Sequence, residues 1–378
     1  MIQRKLLNNK TKNNNMNIFI LLSLLLILYV TGNNILYLSA YADLPDEINK
    51  IQDCKSSKLI DKAISKSNSK DKNNNNDNVN PIANFHHIKK FDSNGKLLYS
   101  WGTKGTGDGE FLHPHGIGSD SKGNIYVSDA VLCNIQKFDK NGHYLSKFGS
   151  RGNGPGEFIQ PESIAIDKND NLFVVDYGTQ HVQKFDSNGK FITMWGAKGT
   201  GTNQFMKPWG IGVDSKGNVY VGDQENPVIQ TFDNNGKFIK QPGSYGSNAG
   251  QFVHIHDVTI DSKDNVYVTD GRDNSRVEKF DSNGKFITMW GSRGSQEGQF
   301  IEDHGIAVDK SGHVYVVDTR NVRIQKFDNN GDFITLWGSL GCKDNQFLIP
   351  HDITIDPQGH IYISDSGNVH FRDNYECQ

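Results

Sequence analysis

The stretch HPHGIGSDSKGNIYVSD, residues 113–129, holds two short runs of strand-forming residues joined by a Gly-Asn turn. The same pattern returns five more times, and the second run ends each time on an aspartate: Asp129, Asp176, Asp223, Asp270, Asp318 and Asp365. A second marker keeps the same beat. The pair Phe-Asp recurs at Phe91, Phe138, Phe185, Phe232, Phe280 and Phe327, with spacings of 47, 47, 47, 48 and 47 residues. A fixed period of this size marks a solenoid or a propeller.

Each unit predicts four strands. In the second unit they are SIAID (163–167), NLFVVD (171–176), HVQKFD (181–186) and KFITMWG (190–196). Asp-Ser-Asn-Gly, Asp-Lys-Asn-Gly and Asp-Asn-Asn-Gly join the third run to the fourth, and Asn-Gly readily takes the positive φ of a tight hairpin. Four antiparallel strands repeated radially describe a propeller blade. The first two strands occur six times. The N-terminal unit (IKKFDSNGKLLYSWG) has only the last two, and the C-terminal unit (HDITIDPQGHIYISD) supplies its first two. The expected fold class is therefore all-β: a six-bladed β-propeller of four-stranded blades, its ring closed by joining N-terminal and C-terminal strands, which removes open sheet edges. The tail Val369–Arg372 either adds a strand or competes for one. Phe111, Phe158, Phe205, Phe252, Phe300 and Phe347 precede the blades as wedges. Trp101, Phe148, Trp195, Trp290 and Trp337 close fourth strands. Regular spacing makes these packing residues rather than a ligand stripe.

The first 85 residues differ in kind. Arg4, Lys5, Lys10 and Lys12 precede an apolar run from Ile18 to Val30, no charge occurs from Met16 to Ala42, and Ala40-Tyr41-Ala42 forms a small-x-small cleavage pattern. Residues 1–42 read as a secretory signal peptide or as a membrane anchor with its basic end inside. Residues 43–85, with SKSNSKDKNNNNDNVN, read as a flexible polar linker carrying at most a short amphipathic helix over 46–64. Residues 86–378 form the propeller. The expected location is extracytoplasmic, secreted or anchored at the cell surface. There a disulfide among Cys54, Cys133, Cys342 and Cys377 is permitted, with the pairing undetermined.

Read around the ring, the residue before each Gly-Ile-type motif is His115, Glu162, Trp209, His256, His304 and His351. First strands of a propeller line the channel, so these side chains stand at one height. Four are His in a chain that holds 13 of them in 378 residues. Imidazoles so gathered suit zinc or another divalent transition metal, with Glu162 as an acidic ligand, an orienting partner or a base. The plainer reading makes them polar side chains filling a wet channel mouth.

The units resemble the NHL-repeat family in the pattern P-x-G-I-x-x-D, G-N-x-Y-V-x-D, I-Q-K-F-D, G-K-F-I, over about 86–378. That resemblance implies six-bladed closure. It leaves function open, because such propellers serve as enzymes, RNA-binding modules, receptor sensors and scaffolds. Within the family, the chain partly resembles the peptidylglycine α-amidating lyases, which hold a metal on three His in Pro-His contexts. His115 (HPHGI) and His351 (IPHDI) match that context. The third position is Trp209 (KPWGI), which cannot ligate, so His256 or His304 would have to substitute. The lyase tyrosine is matched by Tyr177, one residue out of register. Its arginine position offers Gln224, while Arg272 and Arg320 stand in other blades. The resemblance then implies a metal that polarises substrate oxygens, Tyr177 or Glu162 as base, an Arg meeting the developing charge, and an amide with a glyoxylate-like acid as products.

Two classes are disfavoured. The propeller region holds 29 Lys and Arg against 36 Asp and Glu, which repels a nucleic acid. No G-x-S-x-G elbow, paired cysteine nucleophile or phosphate loop occurs. The expected function is an exported binding module that takes a protein, peptide or small-molecule ligand on its channel-mouth face, with or without a divalent metal. The alternative is a metal-dependent lyase.

Overall fold

A computed structural model describes residues 86–367. The expected signal or anchor, the linker with its helix, and a strand from the tail lie outside the described residues. Among those described, no helix is long and apolar enough to cross a membrane.

Six four-stranded antiparallel sheets form the ring. Blades 1 to 5 run in chain order, with inner strands Pro114–Ser119, Pro161–Ile166, Pro208–Val213, Ile255–Ile260 and Asp303–Val308. Blade 6 takes its two inner strands, Pro350–Ile355 and Ile361–Asp365, from the end of the chain. Its outer two, His87–Phe91 and Leu97–Trp101, come from the beginning. The closing register runs from His87 opposite Asp365 to Phe91 opposite Ile361. Each inner strand neighbours the inner strands of the two adjacent blades, so all six line one axis.

The core is a set of apolar layers between blades. Phe111, Phe158, Phe205, Phe252, Phe300 and Phe347 are all buried, each against the Phe of a Phe-Asp pair. The aspartates that end the second strands fix the inner strand's entrance. Asp129 accepts the Leu112 N–H at 2.7 Å and the His113 N–H at 3.1 Å. Asp176 does the same for Ile159 and Gln160, and Asp365 for Leu348 and Ile349. Backbone donors that a buried loop would otherwise strand are satisfied this way. Cys133 and Cys342 are both disulfide-bonded.

Inner strands approach so closely that side chains alternate. The residue after each channel-facing position is Gly116, Ser163, Gly210, Asp257, Gly305 and Asp352 in blades 1 to 6. A Cβ on Gly116 would lie 1.9 Å from the Glu162 carbonyl oxygen, and one on Gly210 would lie 2.4 Å from the Asp257 Cα. Odd blades carry glycine so that even blades can carry a polar side chain.

Candidate functional site

The six channel-facing residues converge. His115 and His351 have ring centroids 4.4 Å apart, His304 and His351 5.6 Å, and His256 and His304 4.2 Å. Of the four histidines, His115, His304 and His351 each offer a ring nitrogen, all within 4.8 Å of one another. His256 stands outside this trio. Its Nδ1 lies 2.8 Å from the Asp303 carbonyl, a contact that fixes Nδ1 as donor and leaves Nε2 as the acceptor. Gly271 makes room for it, since a Cβ there would lie 2.2 Å from that Nδ1.

Burial holds three of the rings, His256, His304 and His351, neutral. The His256 pKa falls to about 4, and those of His304 and His351 fall well below the ordinary value, desolvation being the main cause and neighbouring imidazoles adding to it for the latter two. The Nδ1 atoms of His304 and His351 are buried with no hydrogen-bond partner. His351 Nε2 lies 3.2 Å from Ser366 Oγ. Neutral imidazoles with unengaged nitrogens are the state a metal requires.

Glu162 sits beside the trio. Its Oε2 is 2.7 Å from His115 Nδ1, close enough for an ion pair but without hydrogen-bond alignment, and its Oε1 accepts from Gln160 Nε2 at 2.5 Å. Trp209 occupies the middle of the mouth, its ring 5.2 Å from His115 and 6.2 Å from both His256 and His304. Tyr177 meets Trp209 edge-on at 5.5 Å, with the Lys207 ammonium 5.5 Å from its own ring. Arg272 and Arg320 are not in the cluster. Both are exposed, and Arg320 pairs with Glu302 at 2.6 Å. Their charges reach the site only at a distance, each helping to keep imidazoles neutral: Arg272 at His254 and His256, Arg320 at His304.

Sequence reading missed two layers around these residues. The first is a pair of carboxyls, Asp257 and Asp352, which line a small central cavity with Ser163, Trp209 and the four histidines. Asp257 accepts the Ile306 N–H at 3.0 Å, and Asp352 accepts the Ile117 N–H at 2.9 Å, each reaching a neighbouring blade. Desolvation pushes Asp257 up to about 6. Desolvation and the Asp257 charge push Asp352 well above the carboxylate range. The second layer lies two residues before the ring positions. His113 lies 5.0 Å from His351 and His254 lies 4.6 Å from His256. The patterns His113-x-His115 and His254-x-His256 were the available clue.

Hydroxyls one blade back set the backbone of the site. Ser128 Oγ donates to the Glu162 carbonyl at 2.6 Å, Thr269 Oγ1 to that of His304 at 2.8 Å, and Ser364 Oγ to that of His115 at 2.5 Å. Asp303 begins the blade 5 inner strand where four other blades have proline. Both its carboxyl oxygens are buried without a partner, and burial lifts its pKa well above the usual range.

Known proteins agree with this architecture. A family model described as NHL repeat matches residues 252–280, 304–327 and 347–370, and another described as a 6-bladed beta-propeller matches 119–186. No curated protein matches the sequence. Among solved structures, a protein of unknown function from Bacteroides thetaiotaomicron is similar at 16% identity and a TM-score of 0.55, over 74% of this chain and 76% of its own. A streptogramin B lyase is similar at 14% identity and 0.52, over 75% and 96%. A gluconolactonase from Xanthomonas campestris is similar at 12% identity and 0.50, over 68% and 86%. At these identities the likeness speaks to fold alone. Six closed four-stranded blades, with the NHL-repeat model matching segments in the second half of the ring, make the chain a six-bladed β-propeller.

Proposed function

We propose that this chain is an exported ligand-binding propeller. Its channel mouth takes a divalent transition metal on His115, His304 and His351 and uses it to hold an oxygen-bearing group of a protein, peptide or small molecule. The observation that carries this is the convergence of three imidazole nitrogens within 4.8 Å. Their donor set fits a zinc-type ion, because the unpartnered Nδ1 atoms of His304 and His351 belong to rings that burial keeps neutral. Among the described residues the group offers three ligands, and a zinc-type ion held by three would keep a coordination position for a ligand. Export rests on the basic, apolar and A-x-A order of the first 42 residues. The disulfide-bonded state of Cys133 and Cys342 supports an oxidising compartment.

Elemental analysis tests the reading, on protein purified without a histidine tag beside a folded His115→Ala/His351→Ala variant. About one equivalent of transition metal in the wild type, lost in the variant, is expected for a three-ligand site. No metal in either protein, even after incubation with zinc, leaves a polar mouth without an ion and ends the proposal.

The contact between Glu162 and His115 favours a second reading, a metal-dependent lyase of the amidating type. A bound ion would supply Lewis acidity toward a substrate oxygen. Glu162 stands inside the mouth as proton acceptor, and Tyr177 is a second acceptor beside Trp209. Arg272 and Arg320, exposed outside the cluster, would have to swing inward to meet the product acid. Glyoxylate release from a peptidyl α-hydroxyglycine, reduced about a hundredfold or more by Glu162→Gln, is the expected result. No glyoxylate from the metal-loaded protein removes this reading and leaves the binding one standing.

A further inference from the structure

Five of the six seams between blades are closed by the same device. The aromatic residue that ends an outer strand lays its ring on the hairpin glycine of the next blade: Trp337 on Gly95, Trp101 on Gly142, Phe148 on Gly189, Trp195 on Gly236 and Trp290 on Gly331. A Cβ on any of these glycines would lie within 2.8 Å of that ring. The slots are apolar, for the Nε1 groups of all four tryptophans are buried with no partner.

The seam between blades 3 and 4 lacks the ring. Its outer strand reads FIKQPG where blades 2 and 4 read FITMWG, so Pro242 stands at the aromatic position. A Cβ on Gly284, the matching hairpin glycine, would meet nothing nearer than Lys240 Nζ at 3.7 Å and Pro242 Cβ at 4.0 Å. A crevice remains, walled by Tyr220, Ile229, Pro242, Phe252, Val266 and Phe280.

A second device is altered at the same seam. In the other five blades a lysine of the third strand reaches a hairpin carbonyl of the next blade: Lys90 to Lys140 at 3.1 Å, Lys137 to Ser187 at 2.9 Å, Lys184 to Asn234 at 3.1 Å, Lys279 to Asn329 at 2.8 Å and Lys326 to Ser93 at 3.1 Å. Blade 3 has Thr231 there, with its Oγ1 buried and unpartnered, opposite Tyr220 in the sheet. Lys240 of the outer strand makes the bond instead, reaching the Ser282 carbonyl at 3.3 Å. The ammonium is thereby brought to the crevice while the ring that would fill it is missing.

We propose that this crevice is a binding site for a small aromatic carboxylate. Its ring would take the place that Trp or Phe holds in the other five seams, and its carboxylate would meet the Lys240 ammonium. The five filled seams show which shape fits, an indole or a phenyl needing no polar partner for its edge. Lys240 is half-buried and on a flexible stem, so it can turn to an anion without unpacking the sheet. The site is separate from the histidine mouth and does not depend on a metal there.

The test titrates the full chain with indole-3-acetate, indole and cyclohexylacetate, followed by calorimetry and by amide shifts around Phe252 and Gly284. Saturable binding of indole-3-acetate at one equivalent is expected, weaker binding of indole, and none of cyclohexylacetate. Pro242→Trp, which restores the filled seam, should weaken binding by tenfold or more. Lys240→Met should bring indole-3-acetate down to the affinity of indole. Trp290→Ala, by opening an equivalent slot, should raise the stoichiometry toward two for indole. His115→Ala should leave all of this unchanged. Absence of saturable binding to the wild type, or binding that survives Pro242→Trp, overturns the proposal. A filled crevice in the wild type, seen as protection by a segment of this chain itself, overturns it as well.

Discussion

At the scale of single residues, burial decides what the histidines do. His86 illustrates this away from the channel trio. It is 3% exposed, its Nδ1 has no partner, and desolvation, helped by Lys104 and His87, lowers its pKa to about 4 from 6.5. Between those values the unfolded chain binds the proton and the folded one does not. The stability that neutral His86 contributes is therefore whole above pH 6.5 and is lost as pH falls toward 4. A His86→Phe variant should gain stability relative to wild type across that window, by no more than about 3 kcal/mol at the acid end. Denaturant midpoints at pH 7, 5.5 and 4 measure it, and a constant difference across the three would contradict the buried neutral ring. The same principle explains what sequence left unread at the site. His115, His256, His304 and His351 were legible because the repeat aligns them. The partners of each ring were not, because whether Nδ1 meets a carbonyl, a carboxylate or nothing depends on neighbouring blades.

At the scale of strands, the turn chemistry was readable and the spacing between inner strands was not. Asp-x-Asn-Gly marks each outer hairpin, and glycine at its fourth position takes φ near +80°, as at Gly95 and Gly142. The alternation of glycine with Ser163, Asp257 and Asp352 has no local cause. It follows from how closely inner strands of adjacent blades approach the axis. Gly116→Ala would place a methyl 1.9 Å from the Glu162 carbonyl oxygen, which is backbone and cannot swing aside. We expect a loss of about 3 kcal/mol or more and a displaced Glu162. Thermal unfolding with a structure of the variant would check it, and an unshifted midpoint would mean that the strands separate more easily than their packing indicates.

At the scale of the whole molecule, the ring is closed by the two ends of the described chain. His87–Phe91 lies between Ile361–Asp365 and Leu97–Trp101, so a break there opens the ring. Lys89 pairs with Ile363 on one side and Ser100 on the other. Lys89→Pro should remove a ladder bond and cost about 3 kcal/mol or more, with aggregation on heating as the freed edge pairs with other chains. A midpoint equal to wild type would argue that blade 6 does not hold the ring shut.

The sequence by itself determined the repeat, the four strands of each blade, the count of six and the shared blade at closure. These depend on period-two patterning and turn residues, which act over a few positions and repeat often enough to average out exceptions. Only the tertiary structure decided which three of four histidines come together, that Trp209 fills the space between them, that Asp257 and Asp352 share the cavity, and that one seam lacks its ring. Those outcomes depend on distances between residues about 40 or more positions apart, across blades whose approach is set by packing around the axis. Pro242 was present in the sequence from the start, but its meaning required Gly284 opposite it.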